Sequence, residues 1–218
     1  MNAKTVSTSV INRLPRYYRF LGRLLRTGVA RISSKELAHQ MKVTASQIRQ
    51  DLNCFGGFGQ QGYGYNVEML HNEIGQILGV ENAAPSILIG AGSLGRSITG
   101  QHDLFTERGF TLVAAFDKSP DVIGTTLGNG LVVQPAKDLV KFCKEREPRM
   151  AVICIPRTEA EKMADTLVSL GIEAFWNFSG YDFTYSYDHV SAVNVHLGDS
   201  LLTLSYMFNH RKDDKEPG

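Results

Sequence analysis

Apolar residues in the first eighty positions recur at three- and four-residue intervals, the period of helices packed on one face. From about Pro85 onward the pattern changes. Short apolar runs alternate with amphipathic stretches, as in an α/β unit. The change falls at Gly79-Val80-Glu81-Asn82-Ala83-Ala84-Pro85, so we place a front domain over 1–82 and a back domain over 83–198. An apolar last helix and a polar tail fill 199–218.

In the front domain, Tyr17, Leu21, Leu24 and Leu25 predict a helix over roughly 15–27, with Pro15 in its first turn, where a missing N–H costs little. Ser33 and Glu36 stand at capping-box spacing ahead of Leu37, Ala38 and Met41. Thr44 and Gln47 repeat the spacing ahead of Ile48, Leu52 and Phe55. Two short capped helices joined by Met41-Lys42-Val43 have the dimensions of a helix-turn-helix. The second helix turns Ser46, Gln47, Arg49, Gln50 and Asn53 away from its apolar face, hydrogen-bonding groups suited to base edges in a major groove. Gly56 to Tyr65 reads as a glycine-rich hairpin, the wing of a winged helix. A small helical domain with a loop is the alternative reading.

The back domain carries a more specific signal. Strand Ser86-Ile87-Leu88-Ile89 runs directly into Gly90-Ala91-Gly92-Ser93-Leu94-Gly95 and a helix. The next strand, Thr111 to Phe116, ends in Asp117. This is GxGxxG in a strand–turn–helix setting with an acid about twenty residues on, the pattern of a dinucleotide site. Gly90 permits the turn, Gly92 lets pyrophosphate approach the backbone, and Gly95 lets helix and strand pack. The helix start offers N–H donors to phosphate. Asp117 is expected to accept the ribose hydroxyls and repel a 2′-phosphate, with Lys118 beside it working the other way. Leu131 to Val133, Met150 to Pro156 and Ile172 to Phe178 complete a parallel sheet, with helices at about 136–146 and 158–170 between them. Ligands sit beyond the carboxyl ends of such strands, so Ile155, Pro156, Asn177 and Phe178 are expected to border the dinucleotide.

Charge sharpens the division. Residues 1–82 hold ten Lys and Arg against five acids, leaving 13 of the chain's 23 basic and 17 of its 22 acidic residues for the rest. A basic front on an acidic body fits a nucleic-acid-binding head. Three cysteines, Cys54, Cys143 and Cys154, lack CxxC spacing, so neither a disulfide framework nor a cysteine zinc site is expected. Without a membrane-length apolar run or an apolar leader, a reduced cytoplasmic protein with no metal is the expectation. An enzyme is disfavoured. Only about forty residues follow the last predicted strand, and Tyr181, His189 and His196 have no partner at catalytic spacing. The last helix, about 199–210, is apolar at Leu201, Leu202, Leu204, Met207 and Phe208, as a dimerisation element would be.

Together these segments resemble the Rex family of bacterial redox-sensing repressors over nearly the whole chain. The likeness is carried by Val10 to Arg19, Ile32 to Ala38, Gln47 to Leu52, Gly62 to Val67, the glycine loop, Ala114 to Asp117 and Asn177-Phe178. The resemblance implies a homodimer with winged-helix domains on operator DNA. It also implies a Rossmann-like doubly wound domain binding NADH or NAD⁺ as regulatory ligand, and a swapped C-terminal helix. NADH would release the operator, with no chemistry performed. The expected DNA contacts are Arg13, Arg16, Ser33, Lys35, Thr44 and Ser46, then Gln47, Arg49, Gln50, Gln60, Gln61 and Tyr63. Some positions depart from the family pattern. Gly100-Gln101 stands where the family has Asn-Tyr, and Asn194-Val195-His196 where it has Asn-Val-Asp. The family aspartate pairs with an arginine matching Arg19; His196 offers no carboxylate, and once protonated it would repel Arg19. Gln50, Gln60 and Gln61 replace residues that are usually basic. A dinucleotide-binding regulator with altered redox discrimination is therefore the second reading, and an NAD-dependent oxidoreductase a distant third.

Overall fold

The computed structural model describes residues 6–55, 64–101 and 103–210. It divides into two compact units that meet at Asn82 and Ala83, each with its own core.

The front unit is helical. In chain order it has α1 (Thr8–Ile11), α2 (Leu14–Arg26), β1 (Arg31–Ile32), α3 (Ser34–Met41), α4 (Ala45–Asn53), β2 (Tyr65–Asn66) and α5 (Val67–Leu78). Leu14, Tyr17 and Leu21 on α2 meet Leu37 and Met41 on α3, Ile48 and Leu52 on α4, and Val67, Leu70 and Ile74 on α5. All ten are essentially buried. Lys42 ends α3 in the left-handed region, and Val43 N–H returns to the Ala38 carbonyl, which turns the chain sharply into α4. β1 and β2 form a two-residue antiparallel ladder, Ile32 opposite Tyr65. The expected hairpin tip, with Gln60, Gln61 and Tyr63, lies outside the described residues.

The back unit is a six-stranded sheet of β3 (Ala84–Ile89), β4 (Phe110–Asp117), β5 (Val133–Pro135), β6 (Met150–Ile153), β7 (Ala174–Asn177) and β8 (Ser191–Asn194). The spatial order is β5-β4-β3-β6-β7-β8 and every neighbouring pair is parallel. Helices α6 (Ser93–Thr99), α7 (Leu139–Arg146), α8 (Arg157–Ser169) and α9 (Leu197–Asn209) follow β3, β5, β6 and β8. Alternate residues of the central strands feed two cores. Ile87, Ile89, Phe116 and Ile153 pack with Leu139 and Cys143 of α7 and Ala160, Ala164 and Leu167 of α8. Leu88, Ala115 and Val152 pack with Ile98 of α6 and Phe105. Burial on both faces is why these strands read as continuous apolar runs.

Three details differ from expectation. β5 lies two residues later than Leu131, whose neighbour Val132 instead bridges Thr126. The stretch 136–146 begins as a 3₁₀ turn, Ala136–Asp138, before α7. β8 was not expected at all. It is a four-residue edge strand with exposed and half-buried positions alternating, which leaves no apolar run to read.

Candidate functional site

The chain leaves β3 at Ile89 and enters the glycine loop at the point where strand order reverses, between β3 and β6. Gly90 has φ +94°, and a Cβ there would lie 2.5 Å from the Cys154 carbonyl oxygen of the neighbouring strand's end. A Cβ at Gly95 would lie 2.1 Å from the Gly90 carbonyl oxygen, so α6 can approach the loop only without a side chain. Gly92 differs. Its backbone is extended, at φ −69°, and an added Cβ would meet nothing within 4 Å. Folding excludes side chains at Gly90 and Gly95, whereas Gly92 faces open space, as a surface that takes a pyrophosphate would.

Asp117 secures the loop. Its Oδ2 accepts the Ala91 N–H at 2.7 Å and its Oδ1 accepts the Ser119 N–H at 2.8 Å. The residue expected to receive ribose hydroxyls therefore already holds the turn against β4. Lys118 is exposed and donates to Glu159 at 2.9 Å. Ser93 is exposed, Leu94 is half-buried, and Ile155 and Pro156 lead from β6 into α8. Asn177 is turned inward. It is 1% exposed, and its amide nitrogen donates to Asn194 at 2.8 Å and to the Tyr181 carbonyl. Its carbonyl oxygen accepts from the Ser179 N–H at 3.0 Å and from the Ser179 hydroxyl at 2.7 Å. Asn177 thus orders the turn after β7 and clamps β8, and has no polar group left for a ligand. Phe178 stacks edge-on against Trp176.

On the front unit, Ser33 and Thr44 are helix caps. Ser33 Oγ accepts the Glu36 N–H at 3.1 Å while Glu36 Oε2 accepts the Ser33 N–H at 2.8 Å. The second bond and the Ser33 hydroxyl hold the Glu36 carboxyl below its usual range. Thr44 Oγ1 accepts the Gln47 N–H at 3.1 Å. Ser46, Arg49, Gln50 and Asn53 are exposed on α4, and Arg49 donates to Ser34 Oγ at 3.1 Å. Lys35 and Arg16 are exposed, although Arg16 also donates to the Met41 carbonyl.

Asp51 escaped sequence reasoning. It is 1% exposed and accepts from Arg13 Nε at 2.6 Å, Arg13 Nη2 at 2.8 Å, Tyr17 OH at 2.7 Å and Gln47 Nε2 at 2.8 Å. Burial alone raises its carboxyl, yet the bonds from Arg13, Tyr17 and Gln47 outweigh it and leave the group below its ordinary value. Arg13, expected on DNA, has its guanidinium committed here. The available signal was an acid three residues past Ile48 and beside Leu52, on the apolar face of its helix.

Arg19 is exposed on α2 in the front unit, while Gln101 and His196 are exposed in the back unit, one after α6 and the other at the N-cap of α9. Tyr181 OH meets Ser186, His189 stands edge-on to Tyr187, and His196 is the N-cap of α9. Burial pushes the Cys143 thiol up to about 11 and the Cys154 thiol up to about 12, so neither is a nucleophile at neutral pH. Among the described residues, no cluster of His, Cys, Asp and Glu could hold a metal, and no helix is long and apolar enough to cross a membrane.

Comparison with known proteins places both units. The family described as "Putative DNA-binding protein N-terminus" matches residues 5–53, and that described as "CoA binding domain" matches residues 81–180. A redox-sensing transcriptional repressor Rex of Clostridium perfringens is 45% identical over 207 residues, covering 95% of this chain and 96% of that one. The Rex of Caldanaerobacter subterraneus subsp. tengcongensis is 48% identical over 213 residues, covering 97% and 94%. Among solved structures, RSP in complex with beta-NAD+ and operator DNA superposes with a TM-score of 0.87 at 46% identity, covering 97% and 96%. RSP in complex with beta-NADH gives 0.86 at 43%, covering 97% and 98%. The chain belongs to the Rex family of redox-sensing transcriptional repressors.

Proposed function

We infer that this chain is a DNA-binding repressor, not an enzyme, that reads the NADH/NAD⁺ balance through its back unit and releases its operator when NADH binds. The observation that carries the reading is the open shell around Gly92. A loop whose other two glycines are demanded by packing keeps a third that nothing in the protein requires, at the strand end where a dinucleotide lies. The pyrophosphate rests on Gly90 to Gly95, and Asp117 supports that cradle from behind. On the front unit, α4 enters the major groove with Ser46, Gln47, Arg49 and Gln50 toward the bases, while Lys35 and Arg16 meet phosphates.

The working unit is a homodimer closed by α9. No residue of this helix is buried; Leu197, Leu201, Leu204 and Phe208 recur on one stripe, each more than half exposed. A second copy of the chain covers that stripe, as the C-terminal helix of the resembled family implies. Sedimentation tests it: a dimer is expected, and Leu201→Asp with Phe208→Asp should yield monomers.

The function is tested by operator affinity with NADH, with NAD⁺ and without ligand. NADH should weaken binding more than NAD⁺ does. Equal affinity in all three conditions overturns the redox reading while leaving DNA binding intact. Arg49→Ala should cost about 1–3 kcal/mol of specific binding if its guanidinium pairs with a guanine.

A further inference from the structure

Lys118 and Glu159 stand on two different connections at the carboxyl end of the sheet. Lys118 is one residue past β4, and Glu159 lies in the first turn of α8, which follows β6. β4 and β6 are the two neighbours of β3, so the pair spans the strand that feeds the glycine loop. Lys118 Nζ is 2.9 Å from Glu159 Oε2, and Lys162 Nζ, one turn along α8, is 3.5 Å from Oε1. Lys118 and Lys162 are 73% and 72% exposed and Glu159 33% exposed, so packing does not explain the arrangement.

A dinucleotide whose pyrophosphate lies on the loop carries its adenosine ribose to the end of β4. A 2′-phosphate there would face Asp117, which repels it. It would also face Lys118, a flexible ammonium well placed to bind it. Lys118 alone therefore undermines the discrimination that Asp117 provides, and Asp117 is already engaged with the Ala91 and Ser119 N–H groups. We propose that Glu159 is the specificity-determining residue between dinucleotides with and without a 2′-phosphate. It holds Lys118 in an ion pair, engages Lys162 as well, and presents a carboxylate where the phosphate would need a cation. This rests on the dinucleotide reading of the glycine loop.

The test titrates the full chain with NADH and with NADPH, following nicotinamide fluorescence. Wild type is compared with Glu159→Gln and with the double variant Glu159→Gln/Lys118→Met. Glu159→Gln should tighten NADPH by roughly five- to twentyfold, the effect of one surface charge at ion-pair range, and leave NADH within about twofold. Adding Lys118→Met should return the NADPH/NADH ratio to that of wild type. A ratio unmoved by Glu159→Gln overturns the proposal, as does a gain that survives removal of Lys118. Wild type that binds neither dinucleotide overturns the loop reading itself, a result distinguishable from both. Lys118 is exposed and Glu159 only half-buried, and unchanged melting temperatures will show that both variants fold.

Discussion

Arg13 and Asp51, 38 residues apart, are joined by two hydrogen bonds that tie the entry of α2 to the last turn of α4. A carboxylate only accepts, so the Gln47 group facing Asp51 must be its amide nitrogen, and the Gln47 carbonyl oxygen points away from it. The ion pair thus sets how α4, the helix proposed to face DNA, is held and how one of its side chains is presented.

Removing Arg13 should leave a buried carboxylate short of its main partner. Because the Arg13 side chain is 31% exposed, we expect Arg13→Ala to cost about 2–3 kcal/mol, below the full range for breaking a buried pair. Urea denaturation measures it. A loss of operator affinity with unchanged stability would instead make Arg13 a phosphate contact.

The same network predicts a pH profile for the front unit. The Asp51 carboxyl lies below its unfolded value, so its stabilisation is complete above the ordinary carboxylate range and disappears as pH falls through and below it. Tyr17 is displaced upward, by burial first and then by its bond to Asp51; its contribution holds below the ordinary tyrosine range and is lost as pH rises through and beyond it. Denaturation midpoints should be flat between these limits. In Asp51→Asn the acid-side loss attributable to this group should vanish.

The glycine loop should separate folding from binding. Gly95→Ala forces a Cβ against the Gly90 carbonyl and should lower stability by about 1–3 kcal/mol. Gly92→Val should melt like wild type yet lose NADH, because its branched side chain fills only outside space. Calorimetry showing normal NADH affinity in Gly92→Val would remove the loop from the binding site.

Gln101 and His196 replace the tyrosine and aspartate of the resembled family, so ligand binding and DNA release should be weakly linked here. A ligand shifts two states only by its differential affinity for them. We expect NADH to weaken operator binding by a coupling at or below about 1–3 kcal/mol. Gln101→Tyr/His196→Asp should enlarge it. Several-hundredfold release by wild type, with no gain in the double variant, refutes the weakened linkage.

The two capped helices α3 and α4 were legible because their caps are local. Ser33 and Glu36, three residues apart, form the expected capping box, whereas Thr44 caps α4 through the Gln47 N–H alone, the Gln47 side chain turning to Asp51 instead. The parallel strands were legible because two-sided burial writes itself as Ile87-Leu88-Ile89. Asp51 was not legible, since its partners Arg13 and Tyr17 become neighbours only after α2 and α4 pack. The inward bonds of Asn177 were hidden for a related reason. It ends β7, where a ligand border is expected, but its partner Asn194 lies on β8, a strand without an apolar run that arrives later in the chain. Residues whose roles depend on distant elements stayed hidden.

The three glycines of the loop answer to different constraints over evolutionary time. Any lineage that keeps the fold must keep Gly90 and Gly95, whatever the protein does, because backbone atoms occupy the space a side chain would need. Gly92 has no such protection. A descendant that still folded and still gripped its operator, but no longer answered to a dinucleotide, would be free to replace it. Position 92 therefore works as a molecular fossil marker: in a set of related chains, its drift would date the loss of sensing while the rest of the loop stayed unchanged.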